Sequence, residues 1–172
     1  MTAITFEKSM VSRMLEEALE FCAEKSGFNG KDKALKALGG GDCCVCEYLR
    51  YSLSKSVAEY LGSMDDGITA VYTHEPEYAS GADTLGAGQS RAHPGLNLIV
   101  RVNRKSAALS SVVASLGAVL AEELKQLGCP NATVLCRELD VKLADEQDVQ
   151  KRIGYGALID SLYVRPIEIW HR

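Results

Sequence analysis

The sequence predicts an α+β (mixed α/β) fold of two layers. A short mixed sheet of about four strands, with one β-α-β unit, is packed by an N-terminal helical hairpin and one long central helix. Three observations predict it. Apolar residues recur at helical spacing over three long segments. Short β-branched runs follow the second of these and flank the third. Glycine and proline signals stand between them.

Phe6 to Ser26 has the pattern of the first helix. Phe6, Met10, Met14, Ala18 and Phe21 repeat at three- and four-residue spacing, flanked by Val11, Leu15, Leu19 and Cys22. Thr5 supplies an N-cap and Gly27 a stop. Phe28 to Gly41 is a connector in which Lys31 to Leu38 has room for two helical turns before three glycines. Asp42 to Leu61 is the second long helix. Asp42 is its N-cap, Val45, Leu49, Leu53, Val57 and Leu61 form an i, i+4 ladder, and Gly62 is its expected end.

Ile68 to Thr73 is a strand by its β-branched and aromatic content. His74 to Gly95 is the longest irregular segment, of the kind that often carries function. Leu96 to Asn103 is a strand with clean alternation: Leu96, Leu98, Val100 and Val102 share one face, and Asn97, Ile99, Arg101 and Asn103 the other.

Ser106 to Leu127 is the longest helix, with a stripe of Leu109, Val113, Leu116, Leu120, Leu124 and Leu127. Its other positions are mostly alanine, serine and glycine, which let another backbone come close. This predicts a nearly buried helix, under the sheet or at a subunit interface. Ala132 to Val141 is the expected third strand. Asp145 caps a short helix through Ile153, Ala157 to Val164 fits helix or strand equally, and Ile167 to Trp170 is the last strand. The β-β step across the long loop suits antiparallel pairing, and the strands flanking the long helix suit a parallel crossover.

The 172 residues fit one domain, with a helical part over 1–62 and a sheet-containing part over 63–172. A chain of this length buries enough surface to fold without disulfides or metals. The net charge of −4 argues against a dedicated nucleic-acid binder. The N-terminus has no secretory pattern, and the uncharged run from Ala107 to Ala121 is shorter than a membrane span, so the expected compartment is the cytoplasm, with no membrane partner and reduced cysteines.

Chemistry-bearing residues gather at three places. Cys43, Cys44 and Cys46 stand at the start of a helix, where the dipole favours a thiolate. The Cys43-x-x-Cys46 spacing suits a metal or a redox pair. No second pair completes a zinc site, so further ligands would have to come from His74, His93, Cys22, Cys129 or Cys136. Asp42 and Glu47 oppose thiolate formation, and small thiols also fill core positions. The loop groups His74, Glu75, Glu77, Arg91 and His93 form the second set, suited to ligand binding or acid–base work. The third is Arg101, Asn103, Arg104 and Lys105 at a strand end before a helix, an arrangement suited to an anion. The phosphate-loop, dinucleotide and nucleophile-elbow motifs are absent from the sequence.

The composition therefore predicts a small non-catalytic domain that binds a ligand or partner or assembles, with a homo-oligomer as the expected state. The alternative is a metal- or thiol-dependent enzyme or sensor built on Cys43-x-x-Cys46 and the loop histidines, with zinc as the candidate cofactor.

Overall fold

The computed structural model describes residues 8–74, 95–128, 139–163 and 165–172. Helix α1 spans Lys8–Lys25, α2 Lys31–Gly39 and α3 Cys43–Met64. Strand β1 (Ile68–Thr73) and strand β2 (Asn97–Val102) follow, then helix α4 (Ala107–Gln126). The chain ends with β3 (Asp140–Asp145), two short helices, α5 (Glu146–Lys151) and α6 (Gly156–Ile159), and β4 (Ile167–His171).

The expected architecture is present: one mixed sheet of order β3-β2-β1-β4. β1 pairs antiparallel with β2 and with β4, and β2 pairs parallel with β3 across the α4 crossover. Buried Val11, Leu15, Ala18, Leu19 and Cys22 of α1 meet the α3 ladder, α4's leucine stripe and the Leu98–Val100–Val102 face of β2 in one core. Burial of this contiguous apolar surface supplies the main folding drive. Ile99 faces the other way, into a smaller cluster with Ala70, Tyr72, Ala144, Val149 and Ile159.

That smaller cluster extends the predicted arrangement. Short α5 and α6 pack on the second face of the sheet, next to β3. Gly156 makes their close approach feasible, because a Cβ there would lie 2.4 Å from the Asp148 carbonyl carbon. The segment Ala157 to Val164, ambiguous in sequence, contributes to α6 through Ile159 and runs irregularly over 160–163, with Val164 outside the described residues.

Four boundaries differ from the sequence reading, each for a local reason. Lys31 to Gly39 is a full helix because Ala34 and Leu38 are buried against the hairpin. α3 continues past Gly62 to Met64, because Trp170 covers that glycine and holds the last turn in place. Among the described residues the third strand is Asp140–Asp145, so it runs past the expected end at Val141: its ladder runs from Asn97↔Asp140 to Val102↔Asp145, and the expected start at Ala132 lies with residues 129–138 outside the described set. Helix α5 stops at Lys151, since Arg152 turns left-handed at φ 52°.

Asp42 and Asp145 cap their helices as expected, and the expected cap at Thr5 lies outside the described residues. The Asp42 carboxylate accepts from the Val45 amide at 3.1 Å. Asp145 and Asp148 form a reciprocal capping box at the start of α5. Ser106 caps α4 by accepting from the Ala108 amide.

Of the two settings expected for α4, under the sheet or at a subunit interface, the fold provides the first for one stripe only. That stripe is in the core from Leu109 to Leu124, but Leu127 lies past the helix end and is exposed, and Ala107, Ala108, Ser110, Ser111, Ala114, Ser115 and Ala118 face solvent. A helix laid on one side of a sheet has only one stripe to bury, and nothing among the described residues covers its back.

Candidate functional site

The cysteine-bearing helix end divides into an outer and an inner part. Cys43 and Cys44 are exposed in the first turn of α3, and the Cys43 thiol faces the Gly41 carbonyl oxygen at 3.9 Å. Cys46 is buried, as is Cys22 on α1. The Cys22 thiol donates to the Val45 carbonyl at 3.7 Å. Burial, reinforced by the nearby Cys46, pushes the Cys22 thiol up to about 12. Cys22 thus remains protonated at neutral pH and acts as a small packed apolar group.

A direct expectation follows for thiol chemistry. Brief alkylation of the native protein, read by peptide mass spectrometry, should label Cys43 and Cys44 and spare Cys22 until denaturant is added. Labelling of Cys22 at the rate of Cys43 would show that α1 and α3 open far more readily than their packing implies.

None of the four described cysteines is in a disulfide. Among the described residues, no group of three His, Cys, Asp or Glu side chains is placed to hold a metal ion. His74 lies at the far end of β1, its amide donating to the Asn97 carbonyl and its ring 5.8 Å from that of Tyr155. Glu75, Glu77, Arg91, His93, Cys129 and Cys136 lie outside the described residues.

The basic set after β2 is used differently from its sequence reading. Arg101 meets Glu146 at 2.6 Å, and Lys105 meets Asp148 at 2.6 Å. These two ion pairs tie α5 to the β2 end. The Arg101 hydrogen bond and charge hold the Glu146 carboxyl below its usual range, and Lys105 does the same for Asp148. Asn103 donates its amide to the Gly67 carbonyl, and its side chain is exposed, as is Arg104.

Arg101 and Asn103 nevertheless belong to a polar cleft. It is an open hollow of about 440 Å³ on the second face of the sheet, and Tyr72, Glu146, Glu168 and His171 also line it. Tyr72 is nearly buried beneath it. Burial raises its phenol first, the Glu168 carboxylate adds to this, and Arg101 acts in the opposite sense. His171 Nδ1 lies 3.1 Å from Glu168 Oε1.

The backbone of β4 explains that pairing. Residues three apart on a regular strand point to opposite faces. Here the register slips: Trp170 opposes Val71 while Glu168 opposes Tyr72, which leaves Ile169 as an extra residue. This bulge reverses the phase, so Glu168 and His171 share the cleft face while Ile169 and Trp170 both pack toward the main core.

The strand end beyond it is clamped. The Arg172 guanidinium donates to the carbonyls of Ile68, Gly62 and Asp65 and pairs with Asp66 at 2.8 Å.

On the opposite side of the sheet, α4's outer face is the other feature without an evident internal role. From Ser106 to Ala121 the helix carries no ionisable side chain. A shallow groove of about 450 Å³ runs along it over Ala114, Gly117, Ala118 and Ala121, with Glu122 and Lys125 at its rim. Among the described residues, α4 is the one helix long and apolar enough to cross a membrane by length and composition, and 44% of its most apolar stretch is buried in the fold.

Sequence reasoning singled out Arg101 and Asn103 but missed Tyr72, Glu146, Glu168 and His171. For Tyr72 a signal existed, since the alternation of β1 sets it on the face of Ala70, opposite Val71. For Glu168 and His171 none did, because their convergence depends on the bulge. No protein-family model, curated protein or solved structure matches the chain.

Proposed function

We propose that this domain is a non-catalytic binding and assembly unit that pairs with a second copy through the outer face of α4. The observation that carries the reading is that face itself: uncharged, and uncovered by any of the described residues, along a helix whose other stripe is fully core. A solvated helix back ordinarily carries charged side chains. This one carries alanine and serine, which cost little side-chain entropy to bury and allow close backbone approach.

The helix dipole favours an antiparallel pair, which sets the N-terminus of one α4 beside the C-terminus of the other. A helix-on-helix contact is small beside the standard interface of about 800 Å² per partner, so a micromolar dissociation constant on the order of 10 µM is expected.

Sedimentation velocity over a concentration range spanning that value should show a monomer–dimer equilibrium. Ala114→Glu, at an exposed position, should leave a folded monomer at every concentration with nearly unchanged thermal unfolding. A wild-type chain that stays monomeric throughout, or a dimer indifferent to Ala114→Glu, rules out this pairing.

A further inference from the structure

We infer that the cleft on the second sheet face is a binding site for the ammonium head of a small organic amine, with Glu168 as its counter-ion. The site is on the opposite side of the sheet from α4 and does not depend on self-association.

The charges set the sign of the ligand. The permanently charged groups of the cleft are two carboxylates, Glu146 and Glu168, against one guanidinium, Arg101. Arg101 is already committed to Glu146 at 2.6 Å. An anion would have to displace Glu146 and would then face two carboxylates. Glu168 is the carboxylate without a permanent cation, because its contact is to a histidine that is charged only when protonated.

The hydrogen-bonding inventory sets the chemical class. When the neutral imidazole donates Nδ1–H to Glu168, its Nε2 is left as an acceptor. The Glu168 carboxylate, which also meets the Tyr72 hydroxyl, has capacity for further donors beyond these two. The cleft therefore has acceptors to spare, and a primary ammonium brings three N–H donors. A metal ion is a poor alternative, since no three ligating side chains converge here among the described residues. The volume of about 440 Å³ is that of a small-molecule site.

The positioning is built into the chain. The β4 bulge gives up regular pairing at Ile169 to bring Glu168 and His171 onto one face, and the Arg172 clamp fixes the strand just beyond. Bulges of this kind re-aim side chains and are enriched beside functional sites.

The test is a titration followed by amide ¹H–¹⁵N NMR. The probe is n-butylammonium chloride, with tetramethylammonium chloride and sodium butyrate as comparators. n-Butylammonium should give saturable shifts centred on Tyr72, Glu168 and His171. Tetramethylammonium, which lacks N–H donors, and butyrate, which has the wrong charge, should not. Glu168→Gln should weaken binding about tenfold, the effect of removing one charge-assisted hydrogen bond. His171→Ala, at a mostly exposed side chain, gives a second reading that does not threaten the fold and should also weaken binding. Non-saturable shifts, an equal response to tetramethylammonium, or unchanged affinity in both variants overturns the assignment.

Discussion

Gly62→Ala is expected to destabilise the fold by about 2 kcal/mol, although alanine is the better helix former. On propensity alone the substitution in α3 gains close to 1 kcal/mol. The opposing effect is steric. A Cβ at position 62 would lie 2.2, 2.4 and 2.5 Å from three atoms of the Trp170 ring, so the ring as a whole must move. The surroundings resist that movement. Trp170 is paired to Val71, and the next-but-one residue, Arg172, is bonded to the Gly62 carbonyl at 2.6 Å. Overpacking of this kind typically costs about 1–3 kcal/mol, and more where backbone must follow.

Trp170 is the only tryptophan in the chain, so its emission reports on the site directly. Urea unfolding of Gly62→Ala should show a lower midpoint, with a red-shifted native emission as the ring loses its packing against α3. Because β4 also positions Glu168 and His171, the same variant should weaken n-butylammonium binding. A variant more stable than wild type, with unchanged emission, would show that the ring yields freely and that Gly62 is not needed for the β4 contact.

Leu116→Ala should have the largest effect, a loss of about 3 kcal/mol. Leu116 is fully buried at the middle of α4, in the cluster that joins α1, α3, α4 and the sheet. Truncation removes buried methyl groups and leaves a cavity that fixed neighbours fill only in part; such changes cost about 2–5 kcal/mol. For a chain of this size the melting temperature should fall by roughly 10 °C. Differential scanning calorimetry checks it.

The contrast with Ala114→Glu, two residues earlier on the same helix, is informative. One variant should lose stability and the other only association. If Leu116→Ala costs under about 1 kcal/mol, a loosely packed core around α4 would be indicated.

The legible part of the fold consists of elements with a strong period of their own. The α3 ladder from Val45 to Leu61 and the Asp42 cap are where the sequence put them, because each repeats a local rule: i, i+4 burial and satisfaction of the first-turn amides. The same holds for the alternation of β2, whose Leu98 and Ile99 enter different clusters.

For the third strand, the described part of ATVLCRELDV joins the sheet only at Asp140 and Val141, and DVKLAD owes its pairing to β2, a neighbour some forty residues away. The candidate site was half-legible. Arg101 and Asn103 stood out as charge at a strand end, but Tyr72, Glu146, Glu168 and His171 come from three different elements.

What the amino-acid order determined unaided is the long helices, the strands β1, β2 and β4, the Asp42 and Asp145 caps, and which face of each long helix and of β2 is apolar, since these follow from interactions within a few residues. The packed structure alone decided that α4 buries one stripe and leaves its alanine–serine back open, that Arg101 and Lys105 hold α5, and that a slipped register in β4 turns Glu168 and His171 to the same side. Each of these depends on a partner distant along the chain, and sequence spacing carries no record of which surfaces end up opposed.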